Sequence, residues 1–396
     1  MTNYPKGAQA LLIAMQTPAP KGYLGIPTLI WGRPGVGKSS FLEALERPDF
    51  PVLTLIASIH DPTDFSGLPV FQEGKVQYAV PEWVNLFQER EDGLLLLDEL
   101  TTAPPAVQAA LLRVVLERKV GFHELPQKVR IVAAANPTDF MTGGWDLSPP
   151  LRNRFVHIEW DLPTGTYLQA LEEGFPEATL PQIDAKIHAE LVEQWKLRIA
   201  AFLKLSPDLL YTMPDSDPLA FASPRSWEFA AALLAACDYL GLAPTNEKGG
   251  DPVSAALVRG CIGQGPTLPF FEFLTNLNLP DPTAVLEGRD KVHLHQLNDS
   301  EVYVFFNALN GQLQQAFESE DFYKMAIVYF ELVQEVFDDG RRDLIYVALK
   351  RISKAGLLLK ALSSATKARA SKEVLFYINK LFQDEGLKEF IDVFER

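Results

Sequence analysis

Cysteine is almost missing from this chain: two residues in 396, Cys237 and Cys261. Neither has metal-ligand spacing, and two thiols build no disulfide framework, so the pattern fits a reducing cytoplasm. Long apolar runs are missing too. None approaches the roughly 20 residues that a membrane-spanning helix needs. The N-terminal stretch, residues 1–23, lacks a small-residue cleavage site and reads as an amphipathic helix packed on the core, with no membrane role. Positive charge is in deficit, because 36 Lys and Arg against 51 Asp and Glu leave a formal net charge of −15. Phosphate backbones are gripped by clustered cations, so this balance argues against a broad nucleic-acid footprint. Repeats and low-complexity tracts are absent. What remains is an ordinary globular composition, 47% hydrophobic and 22% charged, long enough for two or three domains.

The first 160 residues alternate short apolar runs with amphipathic stretches. The runs PTLIW (27–31), PVLTLI (51–56), GLLLLDE (93–99), VRIVAAAN (129–136) and FVHIE (155–159) have the length and aliphatic character of strands buried on both faces. Helical patterns at 38–46, 82–90 and 105–118 separate them, which predicts a doubly wound α/β sheet. Two insertions, at 64–80 and 119–128, read as β-hairpins, the first turning at Glu73-Gly74. After Pro163 strand signals largely stop. Segments 184–204 and 226–241 are helical, with a start signal at Ser223-Pro224-Arg225. A Pro- and Gly-bearing stretch at 243–252 marks a division, and the pattern beyond it is almost wholly helical. The expected domains are an α/β domain at 1–162, a helical lid at 163–245 and a helical C-terminal region at 246–396.

The chemistry begins with Gly32-Arg33-Pro34-Gly35-Val36-Gly37-Lys38-Ser39, followed by Ser40, between the first strand and a helix. A glycine-rich loop in that setting presents successive backbone N–H groups and a helix N-terminus to phosphate. Lys38 would reach the β- and γ-phosphates, and the Ser39 hydroxyl would ligate Mg²⁺. The run Leu94–Leu97 ends in Asp98-Glu99 at a strand's C-terminal end, where ligands sit on such sheets. Asp98 would complete the metal shell with Ser39, and Glu99 would orient and activate water. Asn136, ending the next strand, would bond the γ-phosphate or that water. Leu151-Arg152-Asn153-Arg154-Phe155 offers an arginine for a neighbouring subunit's nucleotide, and Arg225 opens a later helix.

Taken together these features resemble an AAA+ ATPase, and within that superfamily the MoxR family of the helix-2-insert clade, from about Pro27 through Gly241. The resemblance assigns Walker A to Gly32–Ser39, Walker B to Asp98 and Glu99, sensor 1 to Asn136 and sensor 2 to Arg225, which would sense the γ-phosphate in its own subunit. It favours Arg154 over Arg152 as the arginine finger and identifies the two hairpins with the clade's inserts. The stretch Asp98-Glu99-Leu100-Thr101-Thr102-Ala103-Pro104-Pro105 is similar to the family's D-E-I-N-R-A-P-P but lacks its Asn-Arg pair. It implies ATP and Mg²⁺ as cofactors, a homo-oligomeric ring that is typically a hexamer, and remodelling of a protein client, often one with a von Willebrand factor A domain.

Two competing functions stay open on the sequence: a nucleic-acid-directed NTPase motor of a restriction type, and a non-catalytic nucleotide-binding scaffold. The last 150 residues or so fall outside the resemblance. Residues 341–380 are basic there, with Arg341, Arg342, Lys350, Arg351, Lys354, Lys360, Lys367, Arg369, Lys372 and Lys380 against Asp343 and Glu373. A solvated helical face or a docking surface would both use that charge. Phe71, Tyr78 and Phe122 in the inserts would either pack on one another or face a ring pore.

Overall fold

The computed structural model describes residues 4–367 other than 73, 138–143, 175–177, 214–218, 243, 245–249, 278, 320, 321 and 355, together with 372 and 376. The five apolar runs form one all-parallel sheet of β1 (Thr28–Trp31), β2 (Val52–Ile56), β5 (Asp92–Asp98), β8 (Lys128–Ala135) and β9 (Val156–Glu159), in the order β2-β5-β8-β1-β9. Burial explains the composition. Leu94 to Leu97 and Val129 to Ala135 are all buried. Leu95, Leu97, Ile131 and Ala133 share one cluster with residues of α4 (Glu82–Arg90) and α5 (Pro105–Glu117). The other face meets α1 (Lys6–Gln16), which packs on β1, β8 and β9. That helix is less amphipathic than its sequence suggests, because every residue from Ala10 to Met15 is buried.

Helix α2 (Lys38–Glu43) follows the glycine-rich loop and ends three residues before the expected 46. The short α3 (Thr63–Ser66) leads into the first hairpin, β3 (Leu68–Gln72) with β4 (Lys75–Ala79), where Gln72 pairs with Lys75 around the expected turn; Glu73 lies outside the described residues. The second is β6 (Lys119–Val120) with β7 (His123–Glu124). Helix α6 (Pro149–Arg152) precedes β9, and α7 (Thr164–Glu173), α8 (Ala185–Leu205) and α9 (Pro224–Tyr239) follow it. Ser223 caps α9 reciprocally with Ser226, which starts the helix two residues earlier than 226. No described residue after Glu159 is in a strand.

Contacts divide the chain into two compact units, Met1–Lys196 with Ser206–Leu274, and Leu197–Leu205 with Thr275–Arg396. The first unit contains α10 (Pro252–Ile262) and most of α11 (Gln264–Asn276). Helix α10 packs on α1, α9 and β9. Gly260 makes that approach possible, since a Cβ there would lie 2.0 Å from the His157 carbonyl oxygen. Cys237 on α9 and Cys261 on α10 are both buried, and burial pushes both thiols far above their ordinary pKa. The second unit is helical: α12 (Pro282–Leu286), α13 (Asp299–Gln315), α14 (Phe322–Asp338), α15 (Tyr346–Lys354) and α16 (Leu357–Lys367). Phe305, Phe306, Tyr329, Val333 and Ile352 lie in its core. Within the basic segment, Arg341 turns inward onto the Leu294 and Leu297 carbonyls, whereas Arg342 and Lys350 are exposed. Arg369 and Lys380 lie outside the described residues.

Candidate functional site

Sheet order sets the geometry. β1 delivers the glycine-rich loop between the C-terminal ends of β8 and β9, and β5 ends beyond β8. Gly35 and Gly37 adopt φ of 77° and 80°, angles that favour glycine. A Cβ at either would meet nothing within 4 Å, so conformation, and not crowding, is what requires glycine there. Gly32 is the reverse case: a Cβ would come within 2.9 Å of the Trp160 carbonyl oxygen and 3.2 Å of Lys38 Cδ. Trp160 supports the loop from below, donating through Nε1 to the Val36 carbonyl at 3.2 Å and packing edge-on against Phe41. Arg33, Pro34 and Ser40 are exposed.

Lys38 is buried at the first position of α2. Its Nζ donates to the Gly32 carbonyl at 2.7 Å, the Arg33 carbonyl at 3.1 Å and Asn136 Oδ1 at 3.0 Å. Burial lowers the ammonium's pKa, and the Asp98 carboxylate opposes that shift. Ser39 Oγ donates to Asp98 Oδ2 at 2.7 Å, while Asp98 Oδ1 accepts the Glu99 N–H at 2.8 Å. One hydroxyl and one carboxylate in contact form the sparse oxygen set on which Mg²⁺ is held when phosphates supply further ligands. Glu99 is exposed in the left-handed region, φ 55°, and its Oε2 accepts from Ser58 Oγ at 3.2 Å. Lys38, Ser39, Asp98, Glu99 and Asn136 therefore come together at the C-terminal edge of three neighbouring strands.

The α/β region is similar to known proteins. Residues 27–157 match the model of the ATPase family associated with various cellular activities (AAA). Chaperone MoxR1 of Mycobacterium tuberculosis is 30% identical over 137 residues, covering 32% of this chain and 34% of that protein. The Psp operon transcriptional activator of Escherichia coli is 35% identical over 119 residues, 28% of this chain and 37% of its own length. Residues 27–157 thus match a domain of the AAA ATPase family, and that stretch is similar to the MoxR1 chaperone. The match spans about a third of the length of these relatives. A solved Cytophaga hutchinsonii protein, described only provisionally as an ATPase, overlays with a TM-score of 0.41 at 16% identity, covering 68% of this chain and 91% of its own.

The candidate arginines of the sequence, Arg152, Arg154 and Arg225, lie near one another on the first unit. Arg152 ends α6 with its guanidinium 5.7 Å from the Phe221 ring. Arg154 donates through Nη1 to the Pro150 carbonyl at 2.5 Å, and its Nε is buried without a partner. Burial lowers the pKa of Arg154, and the charge of Arg225 lowers it further. Arg225, at the start of α9, donates to Asn153 Oδ1 at 3.3 Å, the atom that also accepts from Ser223 Oγ at 2.9 Å. The structure thus brings Arg225 to the Arg152–Arg154 segment, and no hydrogen bond joins Arg225 to Lys38, Asp98 or Asn136 among the described contacts.

Three residues of this arrangement are not marked by any sequence motif. Ser58 lies just past β2, Asn153 sits between two arginines that draw attention from it, and Trp160 follows β9. Each acts through a partner 41 to 124 residues away in sequence. Only for Trp160 was there a signal, a large aromatic at a strand's ligand-bearing end. In the hairpins, Tyr78 and Phe122 pack edge-on at 5.3 Å, whereas Phe71 is 76% exposed.

Proposed function

We propose that this protein binds and hydrolyses ATP in a ring of identical subunits, probing each neighbour's nucleotide with Arg154, and couples that hydrolysis to remodelling of a protein client. The observation that carries the reading is the Lys38 side chain: a buried ammonium held by two loop carbonyls and by Asn136, beside the Ser39–Asp98 contact. A half-desolvated cation is poorly balanced by neutral carbonyls, so an anionic phosphate is the partner it lacks. Lys38 and the amides of Gly35–Ser40 would bind the phosphates. Ser39 and Asp98 would hold Mg²⁺, which neutralises phosphate charge when bound. Glu99, one residue beyond Asp98, would accept a proton from water that Asn136 helps to orient.

Arg154 and Arg152 follow a different logic. Burial lowers the Arg154 pKa most and the charge of Arg225 lowers it further, so Arg154 and Arg225 repel. An anion from a second subunit would relieve that repulsion. Arg225, which shares Asn153 with this segment, would sense the γ-phosphate of its own subunit's nucleotide. Residues 163–245 would serve as the helical lid that carries Arg225, with 246–396 engaging the assembly or the client. A hexamer and a client bearing a von Willebrand factor A domain are the family's usual arrangement and extend the same proposal.

The experiment is steady-state hydrolysis of ATP and GTP as protein concentration rises, with size followed by light scattering. Turnover per subunit that climbs as a closed oligomer forms supports the reading. Concentration-independent turnover by a monomer, or binding without turnover, removes the shared site. Stimulation by DNA would instead favour a nucleic-acid motor.

A further inference from the structure

Between the glycine-rich loop and the arginine segment stands one side chain that neither motif includes. His157, the second residue of β9, is 3% exposed. Its Nδ1 lies 2.9 Å from Trp31 Nε1, and its Nε2 lies 3.0 Å from the Arg152 carbonyl oxygen. Indole N–H only donates, so Nδ1 is the acceptor and Nε2 carries the proton given to Arg152. The two rings are nearly coplanar, 14° apart with centroids at 6.1 Å. Trp31 is the residue immediately before Gly32, and Arg152 is the first cation of the arginine segment. Behind His157 the backbone packs against Gly260, which admits α10 to close approach of its carbonyl.

We propose that His157 is a positioning residue that couples occupancy of the subunit's own loop to the placement of Arg152–Arg154. The inference rests on the reading of that segment as the part shown to a neighbour. Its physical basis is that both ring nitrogens are committed, one to each half of a composite site. Displacement of Trp31 as the loop closes on phosphate is passed to the Arg152 carbonyl with no solvent-exposed link. Among the described residues the segment's backbone amides bond locally, Arg152 to Ser148, Asn153 to Pro149, Arg154 to Leu151 and Phe155 to Arg152, so a shift at the Arg152 carbonyl is felt along it. A packing role would need only the ring's volume; a coupling role needs both nitrogens.

The test is hydrogen–deuterium exchange of the peptide spanning 149–155 in the full chain, with and without a non-hydrolysable ATP analogue. In the native sequence the analogue should change exchange there by about threefold or more, the scale of a local opening equilibrium shifted by a neighbouring contact. His157→Phe, which keeps the ring and removes both bonds, should erase that change while nucleotide affinity stays within about threefold. His157→Gln, which can accept and donate, should restore it. If His157→Phe does not fold, Trp31→Phe removes the same link from the other end and should behave alike. An undiminished response in either Phe variant overturns the inference while leaving the ATPase reading intact. A chain that binds no nucleotide overturns both; one that binds without turnover, yet shows the exchange response, overturns hydrolysis alone.

Discussion

Glu99 shows what a single residue is asked to tolerate. It occupies a left-handed backbone conformation that a glycine would adopt freely, at a cost of order 1 kcal/mol. The conformation points its carboxylate at Ser58 and fixes its carbonyl, which accepts from both the Thr102 N–H and the Thr102 hydroxyl. On the proposed reading this carboxylate would be the base that activates water. Glu99→Gln preserves shape and removes proton acceptance. Nucleotide affinity should hold while turnover falls at least about tenfold, measured by equilibrium binding beside steady-state kinetics. Unchanged turnover would take Glu99 out of the base role. The residues legible in sequence here are those whose chemistry is local: a loop of fixed spacing, two acids at a strand end, an Asn at the next strand's end. Ser58, Asn153 and His157 were not legible, because a serine, an asparagine and a histidine carry no pattern until the fold brings them to Glu99, Arg225 and Trp31.

At the level of elements, the parallel strands declared themselves through continuous apolar runs, and both hairpins through turn residues. The attachment of α10 did not. Its Gly260 looks like a helix-weakening residue until the contact with His157 shows that any side chain would collide with backbone. Gly260→Ala should therefore destabilise the first unit by about 3 kcal/mol, seen as a fall of roughly 5–10 °C in thermal midpoint. A midpoint within a degree of the native one would mean that α10 shifts without cost. A second element, α8, is pinned to α9 by His188, whose Nε2 donates to the Ala232 carbonyl at 2.9 Å. Burial lowers the His188 pKa below its ordinary 6.5, partly offset by that bond. The sign follows directly. Below about pH 6.5 the unfolded chain takes up a proton that the folded chain refuses, so stability is level above that pH and falls as acid is added. Urea midpoints at descending pH should show the loss, and His188→Gln should flatten it.

At the scale of the whole molecule, the proposed ring would divide labour between neighbours. On the proposed reading Lys38 would serve the subunit's own nucleotide and Arg154 a neighbour's. Arg154→Ala should retain nucleotide and lose activity by about a hundredfold or more, within the range that an arginine supplied in trans provides. Lys38→Ala should lose binding. Mixed in equal amounts, the two inactive proteins should recover part of the native rate, because some interfaces pair an intact Lys38 with an intact Arg154. No recovery at any mixing ratio would place Arg154 in its own subunit's site. The acidic balance of the chain adds a condition: measured assembly should strengthen with added salt wherever acidic faces meet, since repulsion between like-charged subunits is screened.

The two cysteines have a use that lies outside the chemistry of the site. Both are buried, and burial holds their thiols protonated at any working pH. Toward a maleimide the native chain should therefore react little. A cysteine placed at Phe71 or Phe122, each about three-quarters exposed at a hairpin tip, would be the only thiol that a dye meets. One fluorophore per subunit could then be installed on the native background, with no cysteine-free version to build, and the distances between hairpins in an assembly would be read directly by energy transfer.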